Sequence, residues 1–412
     1  MEGYYQCINC GFRSDTPQMI YECPQCHDLL EIRYDYDRMS SQVDIRLWKS
    51  RRFSVWRYFE QIPIGDKARI ITLGEGGTGL HKAQNLADDL KLAKLHIKFE
   101  GENPTGSFKD RGMTVSITKA LEVGARIVTC ASTGNTSASL SAYAAKAGMK
   151  CVVLIPAGKI AQGKLAQAMA HGATILEIEG NFDEALKSAT ELTKRDRSIA
   201  LLNSVNPFRI EGQKTLAFEI FDQLDLKPPD VVVVPVGNAG NISAIWKGFD
   251  EPYRLKILDK LPRMIGVQAE GAAPITSAYK QRKLEIQAVQ NPETVATAIR
   301  IGAPASWKKA LRAVRDSHGA MDTVSDEEIL QAQKSIARRE GIFVEPASAS
   351  TVAALNKLLK QDLINRNEVI VCVATGHGLK DPQIVTRISE PIIRTKSDIN
   401  SIETALGRKY PE

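Results

Sequence analysis

One lysine stands where a turn-rich loop meets an amphipathic helix. Pro104 and Gly106 mark the loop, and apolar residues then recur at helical spacing until Gly124. Lys109 therefore falls in the first turn of a predicted helix, where the helix dipole favours anions over a positive charge. That environment is expected to lower the pKa of the amine and make it a better nucleophile. Lys109 is the first candidate catalytic residue of the chain.

Four of the seven cysteines lie near the start of the chain in two C-x-x-C pairs, Cys7 with Cys10 and Cys23 with Cys26. Four thiolates paired in this way suit a tetrahedral zinc ion with no open coordination position. The pattern predicts a small zinc-ribbon-like segment with a structural metal, since so short a segment buries little core of its own. A metal-free remnant of such a site is the alternative.

The composition is typical of a globular protein: 43% of the 412 residues are hydrophobic and 25% are charged. The 54 basic and 48 acidic residues give a net charge of +6, and no cationic run indicates a nucleic-acid or membrane surface. We see no secretory signal and no apolar run of about 20 residues. The odd number of cysteines also favours a reducing compartment, so we expect a cytoplasmic protein.

Beyond Lys109, strand-like and helix-like segments alternate with short connections. One series runs from Arg126 to Leu202, and a second runs from Val231 to Ala374. The second series includes a short strand at Ile342–Val344 and a helix at Ala347–Lys360. Such alternation predicts an α/β fold with open, mainly parallel sheets covered on both faces. Ligands of such sheets bind outside the carboxyl ends of the strands.

Three loops at predicted strand ends carry groups that suit one ligand. Gly237–Asn241 follows the most continuous strand and precedes a helix, so its backbone N–H groups can cradle a phosphate. A hydroxyl- and amide-rich loop, Ser132–Thr136, opens another helix, and Thr375 ends the last strand. With the amine of Lys109, these groups match the needs of pyridoxal phosphate, which takes an amine, a phosphate anchor and a polar partner for its ring nitrogen.

These motifs resemble those of fold-type II pyridoxal-phosphate enzymes, and the stretch Asn203–Thr215 narrows the resemblance to the threonine synthase family. The other matching segments are Glu102–Met113, Ala131–Thr136, Gly237–Asn241, Arg300–Gly302, Glu345–Ser348 and Ala374–Pro382. The resemblance implies a tryptophan synthase β-like fold with two open twisted, mainly parallel sheet domains. It divides the chain into the cysteine segment 1–36, a large cofactor-binding domain from 37–98 and 207–412, and a small mobile domain 99–206 that carries Lys109.

The resemblance also implies roles for individual residues. Lys109 would hold the cofactor and shuttle protons, Asn135 would contact the ring hydroxyl, and Thr375 would face the pyridine nitrogen. The cofactor phosphate would be held by the loop residues Gly237, Asn238, Ala239, Gly240 and Asn241. The substrate would be bound by Ser132, Thr133 and Thr136 at one end, and its phosphate by Asn203, Ser204 and Arg209. Gly79 departs from the family pattern, which usually has proline there, so we expect a less preorganised loop.

The implied activity is that of a lyase of threonine biosynthesis. It would convert O-phospho-L-homoserine and water to L-threonine and phosphate by β,γ-elimination and replacement, and the family habit suggests a homodimer. The related activities of cysteate synthase and threonine dehydratase are alternatives, and so is a zinc-dependent binding module with an idle large domain. Two residues also have purely structural alternatives: Asn135 as a helix N-cap, and Arg209 as a partner of Glu211.

Overall fold

The structure is a computed structural model that describes residues 3–65, 67–157, 162–180, 182–384 and 392–409. Its strands in chain order are β1 (Tyr4–Cys7), β2 (Arg13–Ser14), β3 (Leu30–Arg33), β4 (Leu80–Lys82), β5 (Lys94–Phe99), β6 (Ile127–Ala131), β7 (Lys150–Pro156), β8 (Thr174–Ile178), β9 (Ile199–Leu201), β10 (Val231–Pro235), β11 (Arg263–Ala269), β12 (Ala320–Val324) and β13 (Val369–Ala374).

The α-helices are α1 (Tyr36–Ser40), α2 (Ile45–Ser50), α3 (Gln84–Leu90), α4 (Lys109–Glu122), α5 (Asn135–Ala147), α6 (Gln162–Ala170), α7 (Phe182–Arg195), α8 (Pro207–Gln213), α9 (Thr215–Gln223), α10 (Gly240–Arg254), α11 (Pro274–Lys280), α12 (Trp307–Asp316), α13 (Asp326–Glu340), α14 (Pro346–Ala353), α15 (Leu355–Lys360) and α16 (Ile399–Lys409). Residues Met1–Lys380 form one compact unit, and α16 belongs to a second unit, Asp381–Glu412. Among the described helices, none is both long enough and apolar enough to cross a membrane.

Two mainly parallel sheets and one small antiparallel sheet organise the first unit. The six-stranded sheet has the order β12-β11-β10-β13-β5-β4, in which only the β4–β5 pair is antiparallel. The four-stranded parallel sheet has the order β8-β7-β6-β9, and the N-terminal antiparallel sheet has the order β2-β1-β3. The predicted α/β class with mainly parallel sheets and a small N-terminal segment is therefore confirmed. The predicted boundaries of the three domains stay predictions.

Strand β10 shows why its sequence is a continuous apolar run. Val231 and Val233 point into one hydrophobic core, and Val232 and Val234 point into a second core on the other face of the sheet. A central parallel strand is covered on both faces, so both of its side-chain sets must be apolar.

Two predicted elements near the end of the series differ from the structure. Ile342–Val344 is not a strand, because only Val344 forms an isolated bridge, to His377. The predicted helix Ala347–Lys360 is two helices, α14 and α15, which meet at Ala354.

Helices α4 and α8 cross with their backbones in contact, and glycine makes this possible. A Cβ atom on Gly212 would lie 1.8 Å from the carbonyl oxygen of Arg111, and one on Gly112 would lie 2.8 Å from that of Arg209. No other residue type fits such an approach. The crossing places the first turn of α4, with Lys109, beside Arg209 on α8.

A fully buried ionic cluster joins β5, α4 and α9 behind this crossing. Arg111 donates to Glu100 and to Glu219 at 2.6 Å each, and Lys98 donates to Glu219 at 2.8 Å. All four side chains are inaccessible to solvent. Burial alone would raise the pKa of Glu219, but Arg111 and Lys98 outweigh it and lower this pKa to about 2.

We expect Glu219→Gln to destabilise the protein, since it leaves two buried cations with one fewer carboxylate. Breaking a buried ion pair costs roughly 3–5 kcal/mol, so we expect a decrease of this size in the free energy of unfolding. Unfolding in urea measures this free energy. The matched control is Glu191→Gln on α7, whose carboxylate pairs with Lys194 in solvent and is expected to contribute little. Equal effects of the two substitutions would contradict this account of the cluster.

Candidate active site

Lys109 begins helix α4 with its side chain partly buried and its Nζ atom 4.2 Å from the centre of the Phe108 ring. The pKa of its ammonium is lowered to about 7, chiefly by burial and further by the Arg209 cation, while Glu345 opposes the shift. The direction agrees with the sequence prediction, but burial replaces the helix dipole as the main cause. Near neutral pH, a large fraction of Lys109 is an uncharged amine.

Arg209 is a buried cation, and no anionic side chain among the described residues pairs with it. Its side chain is 1% exposed, its Nη1 atom donates to the carbonyl oxygen of Leu202 at 3.2 Å, and its Nε atom has no partner. Burial lowers its pKa to about 10, and the nearby Cys130 opposes the shift. The alternative pairing with Glu211 is not found, because Glu211 binds Lys214 and Lys247. An unpaired buried guanidinium beside an amine favours an anionic ligand.

The loop Gly237–Asn241 has the form of a phosphate cradle. Helix α10 begins inside it, and Ala239 adopts a left-handed backbone with φ of 66°. The side chain of Asn238 fixes the loop by accepting from the Ala305 amide at 3.0 Å. Within the described parts of the chain, no protein acceptor takes the N–H groups of this loop, and both polar atoms of the Asn241 side chain are buried without partners. These donors remain available to an anion at the start of α10.

A carboxylate brings two of the predicted cofactor contacts together. Glu345 accepts from the Thr375 hydroxyl at 2.9 Å and from the Asn135 amide at 3.0 Å. It is 4% exposed, and burial raises its pKa despite these hydrogen bonds. Asn135 is the first residue of α5, and the N-cap position belongs to Gly134, so Asn135 does not act as an N-cap. Glu345 thus joins the helix that follows β6 to the residue that follows β13.

Sequence analysis matched Glu345 to a family motif but gave it no role. The residue precedes Pro346 at the start of α14, and the hydroxyl of Ser348 on that helix lies 3.2 Å from the hydroxyl of Thr375. A carboxylate directly before a helix-opening proline was the available signal, but the partners of Glu345 are distant in sequence.

Two of the predicted phosphate contacts already have protein partners. Asn203 uses both ends of its side-chain amide on the backbone of Ala131, accepting and donating at 2.9 Å. Ser204 accepts from the Asn238 amide at 3.4 Å, which links it to the phosphate cradle. Asn203 therefore fixes the end of β6, whereas Arg209 is the member of this group that has no anionic partner among the described residues.

The loop after β6 contains the remaining predicted substrate contacts. Ser132 accepts from the Gly134 amide at 3.2 Å, Thr133 is partly buried and Thr136 is buried in the first turn of α5. Because Asn135 in the same turn contacts Glu345, this loop lies against the carboxylate that also binds Thr375.

Gly79 is held in place, contrary to the expectation of a loose loop. Its amide donates to Glu102 at 2.5 Å, and its carbonyl oxygen accepts from the Phe99 amide at 3.0 Å. A proline at this position would remove the donor. The hydrogen bond to Glu102 in this chain therefore depends on a residue other than proline at position 79.

The four N-terminal cysteines converge on one point. Their sulfur atoms all lie within 4.8 Å of one another, at 3.4 Å for Cys7 and Cys26 and 3.5 Å for Cys10 and Cys23. A tetrahedral zinc ion with bonds of about 2.3 Å needs sulfur atoms roughly 3.8 Å apart. The first cysteine of each pair also accepts from the amide two residues later, at 3.4 Å in both cases. The donor set and this repeated geometry fit structural zinc.

Comparison with known proteins agrees with this geometry. Residues 71–376 match the family described as pyridoxal-phosphate dependent enzyme. The threonine synthase of Methanocaldococcus jannaschii is 54% identical over 401 residues, which cover 97% of this chain and 98% of that protein. The threonine synthase of Methanosarcina acetivorans is 53% identical over 406 residues, which cover 98% and 99% of the two chains.

Solved structures with low sequence identity share the fold. A fungal L-serine ammonia-lyase from Rhizomucor miehei aligns with a TM-score of 0.63 at 23% identity, covering 73% of this chain and 93% of that chain. Diaminopropionate ammonia lyase from Escherichia coli aligns with a TM-score of 0.65 at 16% identity, covering 77% and 89%. These structures support the fold of fold-type II pyridoxal-phosphate enzymes. The sequence relatives narrow the family assignment within that fold type. The chain belongs to the threonine synthase family of pyridoxal-phosphate dependent enzymes.

Proposed function

We propose that the protein is a threonine synthase that converts O-phospho-L-homoserine and water to L-threonine and phosphate. The observation that carries the proposal is the pair formed by Lys109 and Arg209: an amine with a pKa of about 7 lies beside a buried guanidinium that no carboxylate in the described part of the chain contacts. The relatives that share more than half of their residues with this chain support the same activity.

The residues around Lys109 fit pyridoxal phosphate. When bound, this cofactor supplies an aldehyde for amines and an electron-withdrawing ring that stabilises negative charge on substrate carbons. The free N–H groups of Gly237–Asn241 would hold its phosphate. The hydroxyl of Thr375 would face the pyridine nitrogen, and the side chain of Asn135 would contact the ring hydroxyl. Glu345 holds both of these side chains, so we assign it the role of orienting them.

Different residues of the chain have different roles toward the substrate. With a pKa of about 7, Lys109 is uncharged in a substantial fraction of molecules at neutral pH, so it accepts a proton from one substrate carbon and returns a proton to another. Arg209 binds the substrate phosphate, which supplies the anionic partner that the buried guanidinium lacks. Ser132, Thr133 and Thr136 lie at or just before the start of α5, where the helix dipole favours the substrate carboxylate.

Two further assignments follow from the residues outside this site. We propose that Cys7, Cys10, Cys23 and Cys26 bind one structural zinc ion, on the grounds of their donor set and spacing. The remaining cysteines, Cys130, Cys151 and Cys372, are buried free thiols, which supports the predicted cytoplasmic location. The homodimer stays a prediction, to be checked by light scattering coupled to gel filtration.

The decisive experiment measures products. The purified protein, loaded with pyridoxal phosphate, is incubated with O-phospho-L-homoserine, and we expect equimolar phosphate and L-threonine. Phosphoserine with sulfite tests the cysteate synthase alternative, and threonine alone tests the dehydratase alternative. Turnover in either of these assays without threonine formation from O-phospho-L-homoserine would refute the proposal.

We expect Lys109→Ala to abolish cofactor attachment and to reduce kcat by at least about 100-fold, because it removes the only proposed mobile base. Visible absorption after incubation with pyridoxal phosphate, and peptide mapping after borohydride reduction, report the attachment. Lys119→Ala is the matched control on the same helix, since Lys119 pairs with Glu122 away from the site. Borohydride labelling of a residue other than Lys109 would contradict the assignment.

We expect Arg209→Gln to raise the KM for O-phospho-L-homoserine far more than it lowers kcat. A charge-assisted hydrogen bond contributes roughly 1.5–3 kcal/mol, which corresponds to about a 10- to 150-fold change in KM. Steady-state kinetics with inorganic phosphate as a competitive inhibitor measures the effect. An unchanged inhibition constant for phosphate would place the substrate phosphate elsewhere.

The reactivity of Lys109 should depend on pH in a way that identifies its neighbours. In the apo-protein, the rate of reaction with pyridoxal phosphate should rise with pH and reach half of its maximum near pH 7, because only the uncharged amine reacts. Arg209→Gln removes a cation and should move this midpoint upward. Glu345→Gln removes an anion and should move it downward. Shifts in the opposite directions would show that these charges do not act on Lys109.

A further inference from the structure

Helix α8 has a second functional face, opposite to the one that carries Arg209. Residues two positions apart on a helix point roughly 200° apart, so Glu211 faces away from Arg209. The Glu211 carboxylate is fully buried and accepts from the Tyr34 hydroxyl and from Lys214 at 2.6 Å each. A hydrogen bond from Lys247 completes its surroundings.

This face of α8 is tied to helix α10. Lys214 also donates to Glu251 on α10 at 2.6 Å, and Lys247, which binds Glu211, belongs to α10 as well. The two carboxylates and two ammonium groups balance in charge. Because α10 begins at the phosphate cradle, the cluster connects the helix of Arg209 to the helix that starts at the cofactor phosphate site.

Tyr34 brings the cysteine segment into this cluster. It directly follows strand β3, which pairs with β1 in a register that places Leu30 opposite Cys7. The cysteine site therefore fixes the sheet that positions the Tyr34 hydroxyl. The ring of Tyr5 adds an edge-to-face contact with Phe208 on α8, at 5.9 Å between ring centres.

The cysteine segment is anchored on both large sheets as well. Lys309 of α12, a helix packed on the six-stranded sheet, donates to the carbonyl oxygen of Leu30 at 2.8 Å. Tyr21 accepts from the amide of Leu201 in β9 of the four-stranded sheet at 2.9 Å. A segment fixed at these points is a rigid support for α8.

We infer that the metal-loaded cysteine segment is a positioning element for the substrate phosphate site. Through Tyr34 and Glu211 it holds α8 at the rotation and depth that present Arg209 to the phosphate. Tyr34 is a positioning residue, since it contacts neither Lys109 nor Arg209 directly. The inference rests on the proposed function, because it takes Arg209 as the group that binds the substrate phosphate.

The test compares Tyr34→Phe with Tyr5→Phe in the holoenzyme. Tyr34→Phe removes the hydroxyl that binds Glu211, and we expect the KM for O-phospho-L-homoserine and the inhibition constant of phosphate to rise about 3- to 10-fold. The kcat and the visible absorption of the cofactor should stay unchanged. Tyr5→Phe removes a hydroxyl that donates to Gln18 within the segment and keeps the ring on Phe208, so both constants should remain those of the wild type.

Removal of the metal provides a second test of the inference. Zinc is withdrawn with a chelator, and its loss is followed by elemental analysis. Phosphate binding to the apo-cofactor protein is then measured by calorimetry, which needs no turnover. We expect weaker phosphate binding after zinc removal in the wild type, and a smaller further loss in Tyr34→Phe, because the two changes act through one contact.

Two results would overturn the inference. One is a Tyr34→Phe variant that unfolds at a lower temperature but keeps the wild-type KM and phosphate affinity. The other is zinc removal that leaves phosphate binding unchanged. Failure of the proposed function would give other results. The wild-type protein would form no threonine, and Arg209→Gln would leave phosphate binding intact.

Discussion

The contact between α4 and α8 at Gly112 and Gly212 is the constraint on which the site depends. Two helices whose backbones touch bring the residues on their facing sides much closer than side-chain packing would allow. The crossing therefore places the partly buried Lys109 next to the buried Arg209. Burial, and to a lesser extent the Arg209 cation, lowers the pKa of Lys109, and no carboxylate among the described residues pairs with Arg209. A phosphorylated substrate would bring the missing anion to Arg209 and place its reacting carbons near the amine of Lys109.

Much of the fold and the candidate site could be predicted, because the relevant signals are local. The apolar run of β10 and the glycines after it are adjacent in sequence, so both the buried strand and the cradle Gly237–Asn241 were visible. The position of Lys109 in the first turn of α4 was predicted from a turn followed by helical periodicity, and the cysteine cluster was predicted from the spacing of its four residues. In each case the residues that carry the signal are also those that form the feature.

The parts that sequence analysis missed depend on contacts between distant segments. Glu345 has a role only because Thr375 and Asn135 meet at its carboxylate, and Asn203 is occupied only because β6 and β9 are neighbours. Strand β12 was not predicted, because a charged residue interrupts its apolar pattern. This residue is the buried Asp322, which binds Lys280 at 2.5 Å. The low pKa of Lys109 was predicted from the helix dipole, but the stronger effect of burial arises from tertiary packing.

The hydrogen bond between Tyr21 and Leu201 has a consequence for solubility. Strand β9 is an edge of the four-stranded sheet, and an edge with free amide groups is a template for pairing with other chains. The Tyr21 hydroxyl occupies one such amide, so the N-terminal segment also shields the edge. The N-terminal segment therefore leaves this edge with one donor fewer for pairing with another chain.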